Sequence, residues 1–176
     1  MAVTSNTSPL LALAKIRRLQ LLKDLYGRVV MSPFVKVECI DNGKEIGAPD
    51  AYAIEKAVQE GWLRPWLRPA TLERKWKTRV NNLMQRAPIG QGEAEALIIA
   101  REKGIPVVLD DAEARALARA LGIEHMGTLM IPYEAVIKGL IRYEELVSIL
   151  SDLSKVLWIS PAVIVEILRK AEEVRK

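Results

Sequence analysis

Five side chains carry most of the chemistry this sequence offers: Asn6, Glu38, Glu93, Asp110 and Asp111. Asn6 closes the short opening strand expected at Ala2 to Ser5, and Asp110-Asp111 follow the continuous apolar run Pro106 to Leu109. Glu38 and Glu93 fall in the first two turns of helices expected to begin near the same sheet edge. In an open parallel sheet, ligands sit beyond the carboxyl ends of the strands. Three or four carboxylates with one amide there, and no cysteine or histidine, form an all-oxygen donor set of the kind that takes Mg²⁺ or Mn²⁺. Clustered carboxylates repel one another unless a cation neutralises them.

Each residue also has an ordinary structural reading. Asn6 is suited to capping a helix or holding a left-handed turn. Glu93 at a helix start is favoured by the macrodipole, and Glu95 reads as a surface acid. One of Asp110 and Asp111 fits as the N-cap of the following helix; the other is then unexplained. His125 reads as a structural imidazole, Thr128 as a helix N-cap, Cys39 as a small buried apolar residue and Trp76 as core.

Composition narrows the chemistry. The 176 residues contain one histidine and one cysteine, which excludes structural zinc sites, disulfide frameworks and haem ligation and leaves catalysis to carboxylates. Aromatic residues are 5% of the chain, too few for a stacking sheet of the RNA-recognition-motif kind. No apolar run reaches the roughly 18 to 20 residues of a membrane span, and the opening residues, without a basic start or a long apolar stretch, give no expectation of a secretory signal. The expectation is one domain, residues 1–176, in the cytoplasm and with no membrane partner.

The elements that must position the five residues emerge from pattern. Strands are expected at Ala2 to Ser5, Arg28 to Met31, Pro106 to Leu109 and Ile123 to His125, with an extended stretch over Trp62 to Pro69, where Trp-Leu-Arg-Pro occurs twice. Helical spacing covers 10–16, 19–26, 35–40, a segment around Ile54 to Val58, and a segment from Thr71. It continues over 93–103, 111–121, 129–140, 143–153 and 161–173. The Ser-Pro pairs at Ser8-Pro9 and Ser32-Pro33 read as helix starts, and a loop is expected around Asn42-Gly43. Alternation of strands and helices predicts an α/β fold with a mainly parallel sheet flanked by helices.

Charge is unevenly placed. The formal net charge is +4, yet Trp62 to Arg86 alone carries +6, leaving −2 elsewhere. Arg64, Arg68, Arg74, Lys75, Lys77 and Arg79 are therefore candidates for contacts to a nucleic-acid backbone, beside the plainer reading of a solvated helix face.

The segments Val3 to Ile16, Ser32-Pro33 to Glu38, Gly92 to Ala96, Leu109 to Arg115, Gly127-Thr128-Leu129 and Trp158 to Pro161, in that order, resemble the PIN-like family long catalogued as a domain of unknown function. The resemblance implies a three-layer fold and a nuclease that uses clustered acids with Mg²⁺ or Mn²⁺ to hydrolyse RNA, single-stranded by expectation. It places the four acid positions on Asn6, Glu38, Glu93 and the Asp110-Asp111 pair. Kinship to VapC-type toxins implies a homodimer and an antitoxin protein as partners. Asn6 departs from the aspartate of most active PIN nucleases, which implies weaker metal binding or a degenerate fold that binds RNA or protein without cleaving.

Overall fold

The computed structural model describes residues 2–66 and 73–175. Five strands form one sheet in the order β3-β2-β1-β4-β5, every neighbouring pair parallel. They are β1 (Ala2–Ser5), β2 (Arg28–Met31), β3 (Leu63–Pro65), β4 (Val107–Val108) and β5 (His125–Met126). Strand β3 lies within the expected extended stretch: Pro65 lacks an N–H but sits on an edge strand, where none is required. Arg68 lies outside the described residues. The last strand lies at 125–126 rather than 123–125, because Leu109 N–H bonds the Met126 carbonyl at 2.8 Å and Ile123 turns into the core.

The helices are α1 (Thr7–Lys15), α2 (Gln20–Tyr26), α3 (Pro33–Lys36), α4 (Asn42–Glu45), α5 (Pro49–Gln59), α6 (Glu73–Arg86) and α7 (Gln91–Lys103). They continue with α8 (Ala112–Ala120), α9 (Met130–Ile137), α10 (Tyr143–Val156) and α11 (Pro161–Arg175). Alternation along the strands separates two cores. Val29, Met31 and Val108 face α1, α2, α5, α9 and α10, whereas Val30, Val107 and Leu109 face α6, α7 and α8. This is the expected three-layer arrangement. Helix α11 packs on α9 and α10 through Ile167 and Ala171. Among the described residues no helix is long and apolar enough to cross a membrane.

Two local features depart from the sequence pattern. Helix α1 begins at Thr7, two residues before the expected first helical position at Pro9, while Ser32 caps α3 as expected by accepting from Val35 N–H at 3.1 Å. Between α3 and α4 runs a π-helical turn, Val37–Asp41, so the helical path continues through the expected Asn42-Gly43 loop. A π-turn inserts a residue and rotates the helix beyond it, a feature frequent at functional sites.

Candidate active site

Because all strands are parallel, their carboxyl ends deliver Asn6, Ser32, Asp110 and Gly127-Thr128 to one edge of the sheet. Asn6 occupies the N-cap position of α1 but its side chain makes no capping bond. Its Nδ2 instead donates to Glu93 Oε1 at 2.7 Å, and Asn6 is 1% exposed. That bond fixes the amide orientation, since the opposite one would set oxygen against oxygen. Asn6 Oδ1 is left buried with no hydrogen-bond partner among the described residues.

Glu93 lies in the first turn of α7 behind Gly90. A Cβ at Gly90 would stand 2.6 Å from Glu93 Oε2, so the carboxylate occupies space that only glycine leaves open. Glu38 sits in the π-turn, and its Oε2 accepts from the Thr7 hydroxyl. Cys39, next to it, is fully buried; burial first, then the Glu38 charge, pushes its thiol up to about 12.

The two aspartates separate. Asp111 caps α8, its Oδ1 accepting from Ala114 N–H at 2.7 Å. Asp110 turns inward: Oδ1 accepts from Thr128 N–H at 2.8 Å, and Oδ2 from the hydroxyls of Thr128 at 2.7 Å and Ser8 at 3.1 Å. A carboxylate has about four acceptor positions, so three bonds leave one. Thr128 thus orients Asp110 and does not cap α9, whose N-cap is Leu129.

Two cleft lobes meet here. One, of about 510 Å³, runs past Thr7, Glu38, Gly92 and Glu93; the other, of about 790 Å³, past Asn6, Glu93, Asp110, Asp111 and Arg115. Ser8, Glu93 and Leu157 border both. The five sequence candidates are therefore divided between two adjoining lobes, with Glu93 on both. Among the described residues, however, no group of three or more acids is placed to hold a metal ion by itself.

The basic segment lies elsewhere. Arg64, Arg74, Lys75, Lys77 and Arg79 belong to β3 and α6 and border neither lobe. Arg79 pairs with Glu102, Lys77 approaches Glu73 at 3.6 Å, and Arg64 Nε donates to the Gly61 carbonyl at 2.7 Å. The cations that do border the groove are Lys15, Arg115 and Lys170.

One acid read as a surface residue is buried. Glu95 is 3% exposed and accepts from Gln91 Nε2 at 3.0 Å, Trp76 Nε1 at 3.3 Å and Phe34 N–H at 3.4 Å.

A family model described as DUF3368, PIN domain, matches residues 2–173. Neither the curated proteins nor the solved structures yield a match.

Proposed function

The chain belongs to the DUF3368 family of PIN domains, and on that premise we propose that it is a metal-dependent ribonuclease acting through Asn6, Glu38, Glu93 and Asp110. The observation that carries this reading is Asn6 Oδ1, a buried acceptor with no partner among the described residues, held in place by the bond from Nδ2 to Glu93. Buried polar atoms without partners are rare, and a missing ion is one of the few explanations for them. Glu93 Oε2, the remaining position on Asp110 and Glu38 Oε1 supply further oxygen donors around the same groove.

The donor chemistry suits Mg²⁺ or Mn²⁺, which need only one or two carboxylates when waters complete the shell. Such an ion supplies water activation and charge stabilisation at a phosphodiester. Asn6 Oδ1, Glu93 and Asp110 would hold it. Thr128 and Ser8 fix the Asp110 carboxylate, and Asp111 acts as the helix cap beside it. The basic segment Arg64 to Arg79, with Arg68, would hold RNA backbone beyond the groove.

The test is cleavage of single-stranded RNA. The expected result is cleavage that requires added Mn²⁺ and falls at least about 100-fold in a Glu38→Gln, Asp110→Asn double variant, the scale on which electrostatic catalytic groups act. Wild-type cleavage no greater than that of the double variant overturns the reading.

A second reading, an RNA-binding or protein-interaction PIN fold without cleavage, is favoured by one observation: the acids are engaged by Asn6, Thr7, Ser8 and Thr128 and, among the described residues, do not form a preassembled three-acid group. Anomalous scattering from crystals soaked in millimolar Mn²⁺ separates the two, with density beside Asn6 supporting the nuclease. A toxin role in the cytoplasm, with an antitoxin partner and a homodimer, extends the nuclease reading and is tested by growth arrest on expression and by light scattering.

A further inference from the structure

Resting on the ribonuclease reading, we propose that the larger lobe of the groove is a nucleotide subsite in which Arg115 binds a phosphate and Trp158 stacks on a base. Arg115 projects from α8, one turn beyond the Asp111 cap. It is half-buried, and its Nη1 lies 3.3 Å from where a Cβ on Gly127 would stand; Asp110 Oδ1 lies 3.5 Å from the same point. Guanidinium and carboxylate therefore flank one glycine. Yet among the described residues the Arg115 guanidinium has no ion pair and no hydrogen bond; only the backbone N–H is engaged, donating to the Asp111 carbonyl at 3.1 Å. Lys170, on the same lobe, is by contrast held by Glu166 at 2.7 Å. A guanidinium with five unused donors, partly withdrawn from water beside a site that handles phosphodiesters, suits a phosphate oxygen pair.

Trp158 supplies the second half. It is 96% exposed, whereas Trp62 and Trp76 are 6% and 3% exposed and Trp66 rests on Trp76 with ring centroids 4.5 Å apart. Its neighbours Leu157 and Ile159 pack against the main core, so the indole is presented from an anchored turn. It borders the lobe together with Met130 and Tyr133. At about 790 Å³ the lobe falls within the usual range for small-ligand sites, about 300–1,000 Å³. An exposed indole and a guanidinium without a partner among the described residues, lining one lobe, match the two chemical parts of a nucleotide, since every base has a face on which an aromatic ring stacks.

The test uses hexauridylate in EDTA, so that binding is read without cleavage, by anisotropy of a labelled oligomer and by intrinsic tryptophan fluorescence. The expected result is quenching in the wild type. Trp158→Ala should abolish the quenching and weaken binding about 10-fold, within the range of one lost stacking contact. Arg115→Met should weaken binding and lower the slope of log affinity against log salt by about one, and Arg115→Lys should restore the slope. No binding by the wild type, or equal binding and quenching in the variants, overturns the subsite. A peptide-binding lobe would give that same outcome. Mn²⁺-dependent cleavage with variant-insensitive binding removes the subsite and keeps the nuclease; variant-sensitive binding without cleavage does the reverse.

Discussion

Asn6→Asp tests what the amide does in the site. Asn6 is 1% exposed, and its Nδ2 donates to Glu93 Oε1 at 2.7 Å. In the variant that donor is gone and two carboxylate oxygens face each other at the same separation. At an effective dielectric of about 20, full charges at that distance repel by about 6 kcal/mol. The pair escapes by binding one proton, which also restores a hydrogen bond between the two residues. Holding a proton on a carboxyl of ordinary affinity, near pH 4.3, costs about 4 kcal/mol at pH 7 and about 1 kcal/mol at pH 5. The proton is the cheaper solution at both values and sets the destabilisation.

The sign comes from linkage. The folded variant binds a proton that its unfolded chain has released, so its stability falls as pH rises above about 4 and recovers as pH falls. In a chain of 176 residues each kcal/mol moves Tm by about 2–4 °C, which gives a deficit of roughly 8–16 °C at pH 7 and roughly 2–4 °C at pH 5. Millimolar Mn²⁺ should remove most of the deficit at pH 7, since the cation replaces the proton. Thermal melts of wild type and variant at pH 5, 6 and 7, in EDTA and in Mn²⁺, measure all of this. A deficit that does not change with pH would refute the placement of the two carboxylates, and no recovery in Mn²⁺ would refute the cation site.

Three further outcomes rest on other parts of the structure. Gly90→Ala has a backbone of φ −77° and ψ 172° that any residue adopts, but its Cβ would displace Glu93 Oε2 from 2.6 Å; circular dichroism should be unchanged while Mn²⁺-dependent cleavage falls about 100-fold, the effect of a misplacement near 1 Å. Thr128→Val removes the 2.7 Å hydroxyl bond to Asp110 and keeps the 2.8 Å bond from the backbone; urea unfolding should show a loss of about 1.5–3 kcal/mol, which Thr128→Ser restores. Burial raises the Cys39 thiol from 9.0 to about 12, and burial with the Glu134 hydrogen bond raises the Tyr26 phenol above its ordinary 10.0. Above those ordinary values the unfolded chain ionises and the native one does not, so each group lowers stability by about 1.4 kcal/mol per pH unit; urea midpoints between pH 8.5 and 11 should show a shallower decline in Cys39→Ala and in Tyr26→Phe.

Strands β1, β2 and β4 are legible because each is a short apolar run followed by a polar residue, whereas β3 (Leu63–Pro65) and β5 (His125–Met126) are not apolar runs, so one reads only as an extended stretch and the other is expected two residues early. Parallel pairing alone then brings Asn6 and Asp110 to one edge, with Glu38 and Glu93 beside them. What pattern does not encode is which way a side chain turns. Nothing in the doubled acid says that Asp111 caps and Asp110 points inward; that depends on Thr128, 18 residues later, supplying two donors. The π-turn that carries Glu38 is also invisible, because apolar spacing through Cys39 and Ile40 fits an ordinary helix. Glu95 escaped for a different reason. Helix α7 is buried on nearly every side, from Ala94 through Ala100, so no polar face exists against which an inward acid would stand out. Arg115 and Trp158 carry only faint sequence signals: a cation one turn into the helix that the doubled acid starts, and a lone aromatic in a short connection.

Counting charge along the chain located +6 in one segment but not its relation to the acids, and Glu95 supplies that relation. Its carboxylate accepts from α3 at Phe34, from α7 at Gln91 and from α6 at Trp76. Helix α3 leads into the turn that holds Glu38, α7 begins with Glu93, and α6 carries Arg74, Lys75, Lys77 and Arg79. Three N–H donors give a buried carboxyl group the hydrogen bonds that burial withdraws from water. One side chain, two residues from Glu93, therefore ties α3, α6 and α7 to one another. The basic helix and the segments that carry Glu38 and Glu93 are in this way linked through one buried carboxyl group, while Arg64, Arg74, Lys75, Lys77 and Arg79 stay outside both cleft lobes.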